Sequence, residues 1–207
     1  MHTLVIFFAL FSAAAQALPT NATEAQVAEA PYELLGLRPH QASLADAILV
    51  FGAAKPTAVP DHGHDFNALC YRGKNATVVL EEGFFVPGKL GHIVLTEKVV
   101  PKALKKVPCV ASEKLDADVR TTNGLGVGLT KAELEKILGA PTATKKGQLT
   151  WDWTHYHPYS DAEKAKRSPA PGGKSYKGEY RYLRVDAALV KDRVASLDIT
   201  FSGETDW

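Results

Sequence analysis

The sequence predicts an α+β protein made of two tandem units, each a helix followed by a three-stranded antiparallel sheet. Three observations predict it. A capped helix signal ending in glycine occurs twice, as "SLADAILVFGA" (43–53) and "TKAELEKILGA" (130–140), with nine positions from cap to glycine in both. Pro-Thr-Ala follows each helix, at 56–58 and 141–143. Finally, "VPGKLGHIVLT" (86–96) aligns without gaps on "VKDRVASLDIT" (190–200), and each reads as a turn opening an alternating strand.

The chain begins with an apolar run from Leu4 to Ala15, and Ala15-Gln16-Ala17 has the small-x-small form that signal peptidase cuts. Such a run is too short to span a bilayer, so residues 1–17 read as a signal peptide and the protein as exported, periplasmic or secreted. The segment before the run has neither Lys nor Arg, a departure from the usual pattern. No Cys follows the cleavage site, so no lipid anchor is expected there, and no second long apolar stretch suggests membrane insertion. Residues 18–32 read as a flexible N-terminal segment. Asn21-Ala-Thr23 and Asn75-Ala-Thr77 are glycosylation sequons, which matter only in a eukaryotic host.

The first unit spans residues 33–112. Ser43 takes the helix cap, Asp46 the third position and Gly52 the stop, with Leu44, Ala47, Ile48 and Phe51 on the buried stripe. The strands "ATVVLEEGF" and 90–96 follow. The second unit spans 113–207. Thr130 and Glu133 form a capping box, Leu129 and Leu134 a hydrophobic staple, and Leu134, Ile137 and Leu138 the stripe, before Gly139 and Pro141 end the helix. Helices this short are not stable alone, so each must lie on a sheet. The offset between the units grows from 87 at the helix to 104 at the last strand. A loop at 157–178, rich in Pro, Gly, Ser and Lys, accounts for the difference as an insertion.

Charge is balanced, with 24 Lys+Arg against 23 Asp+Glu, which gives no field for nucleic acid or an anionic membrane surface. Cys70 and Cys109 are the only cysteines. In an exported chain an even pair without C-x-x-C spacing reads as one structural disulfide.

The pattern Gly-Leu-Thr-x-x-Glu-Leu-x-x-x-Leu-Gly-x-Pro (128–141), followed by the aromatic strand "LTWDW", resembles the SmpA/OmlA-like fold. That family includes an outer-membrane assembly lipoprotein and, as a tandem duplication, the β-lactamase inhibitory protein. The resemblance covers 124–207, and 33–98 through the internal repeat. It implies a fold of the duplicated, inhibitor-like kind. The lipidated Cys of the assembly lipoprotein is missing, which speaks against anchoring. Fold kinship carries no target with it.

Trp151, Trp153 and His155 alternate along "TWDWTHYHP", so a strand places them on one face and Asp152, Thr154 and Tyr156 on the other. The tryptophans either cover the core beneath the second helix or, with loop tyrosines, form a partner-binding surface. The partner-binding candidates are Trp151, Trp153, Tyr156, Tyr159 and Tyr176, residue types that dominate interface hot spots. His62/His64 and His155/His157 are His-x-His pairs that a strand would point one way, as a Zn²⁺ site requires. They lie at opposite ends of corresponding strands, which makes convergence a weak expectation. No Gly-x-Ser-x-Gly, His-Glu-x-x-His or phosphate-binding glycine loop occurs. The expectation is therefore an exported, non-catalytic module without cofactor that binds another envelope or extracellular protein, as an inhibitor or assembly factor. The reading from another class is a periplasmic or secreted hydrolase or metal-binding protein using the histidine pairs.

Overall fold

A computed structural model describes residues 32–61, 64–74, 76–83, 88–97, 106–115, 119–167 and 175–206. The proposed signal peptide, residues 18–31, both sequon asparagines and His62 lie outside the described residues. Among those described, no helix is long and apolar enough to cross a membrane.

The fold class expected from the sequence needs correction. Among the described residues the strands form one nine-stranded sheet, and three short helices, α1 (Leu44–Phe51), α2 (Lys131–Leu138) and α3 (Asp161–Ala165), leave the protein β-rich rather than two α+β units. The strands are β1 (Thr57–Asp61), β2 (His64–Arg72), β3 (Thr77–Glu82), β4 (Leu90–Thr96), β5 (Cys109–Ala111), β6 (Ala143–Lys145), β7 (Gln148–Pro158), β8 (Gly178–Val190) and β9 (Arg193–Asp206). Their order is β1-β2-β3-β4-β9-β8-β7-β6, antiparallel throughout, with β5 added parallel to β2. Between the first helix and the second lie five strands, β1 to β5, and after the second lie four, β6 to β9, where three were expected in each unit. The expectation missed β1, which holds Pro60, and β6, whose three residues are all exposed.

Two sheets become one because β4 and β9 would otherwise both be edges with unpaired peptide groups. They pair instead, Ile93 facing Ile199 and Leu95 facing Leu197, with Val94 against Asp198 between them. The gap-free alignment of 86–96 on 190–200 sets Val94 on Asp198, so the seam is centred on that pair. Each half also has one register shift, between Glu81 and Glu82 and between Ala188 and Leu189.

The helices form where the local chemistry specifies them. Both expected capping boxes are present: Ser43 with Asp46, and Thr130 with Glu133. Gly52 (φ 109°) and Gly139 (φ 80°) end the helices at backbone angles that favour glycine. The stripes then bury Leu44, Ala47 and Phe51 in α1 and Leu134 and Leu138 in α2. They lie on one face of the sheet over a continuous core that includes Leu69, Leu80, Ile93, Leu183, Val185 and Ile199. The other face carries, among the described residues, a small cluster of Val59, Ala68, Cys70, Val79, Val94 and Val107.

Cys70 belongs to that cluster and Cys109 packs against it; the two lie opposite each other in the parallel β2–β5 ladder and form the expected disulfide. At the far end, Lys191 and Asp192 have φ of 50° and 59°, the two-residue hairpin geometry that fits the twist of the flanking strands.

Candidate functional site

The face of the sheet that bears no helix among the described residues is polar across its second half, and the sheet register brings its side chains together. One row runs Glu81, His92, Thr200, Arg184, Asp152 over five strands. The next row places Asp198 directly opposite Asp186. Like charges in that relation repel, so each aspartate needs a cation. Asp198 has His92, whose Nε2 is 2.7 Å from Oδ1, and Asp186 has Arg184, whose Nε donates over 2.6 Å to Oδ2. The Thr150 hydroxyl donates to Asp186, and that of Thr200 to Asp198.

His92 also has Nδ1 at 2.7 Å from Glu81 Oε2. Burial alone would lower its pKa, but the hydrogen bonds and charges of Asp198 and Glu81 outweigh burial and raise it to about 10. It is therefore an imidazolium at neutral pH with both N–H groups committed. Such a ring cannot take up a proton as a general base there.

Further along β7 and β8 the same face turns aromatic. Tyr156 and Tyr180 are ladder partners with ring centroids 4.8 Å apart, and Tyr182 stacks on Tyr180 at 6.4 Å. Tyr180 and Arg184 are exposed and Tyr156 and Tyr182 half-buried, while the strands beneath are held on both sides of β8.

The five residues expected to bind a partner do not share one surface. Trp151 is core, 1% exposed, with its indole N–H on the Gly139 carbonyl, so it corrects the expectation that it is available to a partner. Trp153 is half-buried on the helix-bearing face. Tyr159 is buried too, donating to Glu179 Oε2 over 2.8 Å beneath the Arg167 guanidinium, 3.9 Å from the ring centroid. Tyr176 flanks the same guanidinium. Only Tyr156 lies on the open face. Sequence reading passed over Tyr182, Arg184 and His92. The alternation of "YRYLRVDAA" could have grouped the first two, since Tyr180, Tyr182 and Arg184 recur at every second position.

His64 and the His155/His157 pair are brought to different places. His64 opens β2 and His155 and His157 are on β7, five strand spacings away, roughly 24 Å at ~4.8 Å per spacing. His157 Nε2 is 3.0 Å from Glu163 Oε1, a contact that holds Glu163 down to about 2 together with the Ser160 cap. Burial, with Arg181 and His157 nearby, lowers the pKa of His155. Among the described residues no three His, Cys, Asp or Glu side chains are grouped so as to hold a metal ion.

On the opposite side of the molecule a groove of about 360 Å³ runs between Leu35–Arg38 and the outer face of α1, where Leu49 is 84% exposed. It has few convergent polar groups beyond Arg38, Gln41 and Asp46. The chain matches no protein-family model, no curated protein and no solved structure.

Proposed function

We propose that this chain is an exported, non-catalytic module that binds another envelope or extracellular protein through the open sheet face, as an inhibitor or assembly factor does. One observation carries the reading. Tyr156, Tyr180, Tyr182 and Arg184 form a contiguous stripe on a helix-free face, built on strands that are hydrogen-bonded into the sheet. Tyr and Arg supply much of the energy at protein interfaces, and a rigid sheet presents them at little entropic cost. Occlusion of the partner's surface is then the mechanism, with no bond made or broken. The Cys70–Cys109 disulfide supports export, because such bonds persist in oxidising compartments. The resemblance of residues 128–141 to the SmpA/OmlA-like helix cap is compatible with a binding role but names no target.

The test is affinity capture from the native exported fraction with the mature chain and with a Tyr180→Ala/Arg184→Ala variant. Truncating two hot-spot residues should weaken a recovered complex at least about 30-fold, a loss of about 2 kcal/mol, while the variant, which loses the cation beside Asp186, stays folded by circular dichroism at the capture temperature. Equal recovery by both chains would place the interface elsewhere.

A further inference from the structure

We propose that the outer edge of β7, from Asp152 to Thr154, accepts an extended basic segment of a partner protein as an added strand. The inference rests on the protein-binding reading and adds to it the kind of segment that is bound. β8 pairs with β7 from Gln148 to Pro158, whereas on the other side β6 covers only Gln148–Thr150. The Gly147 carbonyl and the Tyr159 amide bond on the β8 side, and the Thr150 carbonyl accepts from Thr142 on the β6 side. Peptide groups alternate along a strand, so those of Asp152 and Thr154 face outward. Among the described residues no strand pairs with them there.

The first half of the protein shows what such an edge takes. β2 corresponds to β7 in place, since its Tyr71 hydroxyl bonds the Gly52 carbonyl as the Trp151 indole bonds that of Gly139. β1 covers β2 up to Ala68, and β5 then takes over at Cys70–Arg72, parallel and held by the disulfide. Among the described residues β7 has a counterpart of β1 in β6 but none of β5. Between Trp151 and His157 the edge also has no register shift, no Lys and no Pro, and its one acidic side chain, Asp152, repels acidic strands but not basic ones.

Two further features describe the occupant. β5 runs parallel to its strand, while two β7 edges related by a twofold axis could pair only antiparallel, so a second copy is the poorer fit. Charge indicates a basic segment. On the open face Asp152 and Asp186 share the cation Arg184, while Asp198 and Glu81, two and four strands further in, share His92. A residue placed beside Asp152 is thus favoured as Lys or Arg, and its neighbour, beside half-buried Trp153, as apolar.

The probe is a capped nonapeptide of alternating Lys and Val, titrated against the full chain with amide hydrogen exchange read by NMR. An alternating Glu and Val peptide is the control. Exchange at Asp152 and Thr154 should slow at least tenfold with the Lys peptide alone. Thr154→Pro removes an outward N–H, which an edge strand tolerates, and should weaken binding at least tenfold. Asp152→Lys should weaken it at least fivefold without relying on a backbone change. Protection at other amides, or equal binding of the Glu peptide, overturns the proposal. So does a dimer in sedimentation that Thr154→Pro dissolves, which would make a second copy the occupant. If a captured partner is lost with Tyr180→Ala/Arg184→Ala but kept with Thr154→Pro, the binding module stands and the strand edge falls. If both variants keep it, the open-face reading falls as well.

Discussion

Trp151 donates its indole N–H to the backbone carbonyl of Gly139 over 3.0 Å, tying the first buried aromatic of β7 to the residue that ends α2. Tyr71 of β2 makes the same bond, hydroxyl to the Gly52 carbonyl at 3.0 Å, at the end of α1. A helix end leaves carbonyls without intrahelical donors, so each aromatic both fills the core and satisfies one of them. Trp151→Phe should cost roughly 1–3 kcal/mol for the orphaned acceptor and lost volume, and Trp151→Ala about 3–5 kcal/mol. Tyr71→Phe should cost less, about 0.5–1.5 kcal/mol, because Gly52 is exposed and its carbonyl can turn to water. Urea denaturation measures all three. A Trp151→Ala chain within about 1 kcal/mol of the parent would mean the indole is not core.

His92 makes stability depend on pH in the alkaline direction. Its pKa is about 10 in the fold and about 6.5 when unfolded, so between those values the folded chain holds a proton that the unfolded chain has lost. Stability therefore falls with rising pH, by at most about 1.4 kcal/mol per unit, and levels off once the ring is neutral in both states. The contribution is complete below about pH 6.5 and lost as pH rises through about 10. His92→Gln should remove this slope, and at pH 7 should cost roughly 3–5 kcal/mol, since Asp198 then faces Asp186 with one cation fewer. Denaturation midpoints from pH 6 to 11 decide it. A parental slope unchanged in the variant assigns the alkaline loss to other groups.

Local chemistry explains what could be read before the structure. A Ser or Thr cap, an acid three residues on and a closing Gly are all within one helix length, so α1 and α2 were legible to the residue. The period of two in "TWDWTHY" was equally legible, including which residues share a face with Trp151. The single sheet was not, because nothing near Ile93 announces that Ile199 lies opposite. Two strand-helix patterns are compatible with separate sheets until the question of their exposed edges is asked. The same holds for His92, an ordinary strand histidine until the register brings Glu81 to one nitrogen and Asp198 to the other. Hydrophobic alternation also could not say which face a partner would find, since the larger aromatics, Trp151 and Trp153, went to the core side.

The disulfide should act on one edge of the sheet rather than on all of it. It joins Cys70 and Cys109 across a sequence separation of 39, a loop whose closure in the unfolded chain is worth about 4 kcal/mol in the chain-entropy model. It also holds β5 on β2, and Ser112 N–H on the Arg72 carbonyl continues that contact. The double variant Cys70→Ala/Cys109→Ala should lose about 2–4 kcal/mol and expose the β2 edge. Hydrogen exchange should accelerate most in β5 and Ser112, while β8, between two full-length neighbours, keeps its protection. Uniform acceleration along the chain would show that the bond stabilises only through the unfolded state.

The joined sheet makes one more demand, on cooperativity. One core cluster contains residues of both halves, Phe51 and Leu80 together with Leu134 and Val185, and the β4–β9 seam runs through it. Ser43→Ala and Thr130→Ala each remove one helix cap, worth about 1 kcal/mol. The two caps share no partner, so the costs should add to about 2 kcal/mol within about 0.5 kcal/mol. More tellingly, either variant should shift one common transition, seen alike by far-UV circular dichroism and by tryptophan fluorescence, which reports only the second half in the described chain through Trp151 and Trp153. If Ser43→Ala moved the dichroism signal and left the fluorescence transition in place, the halves would be unfolding separately, and the pairing of β4 with β9 would be too weak to unite them.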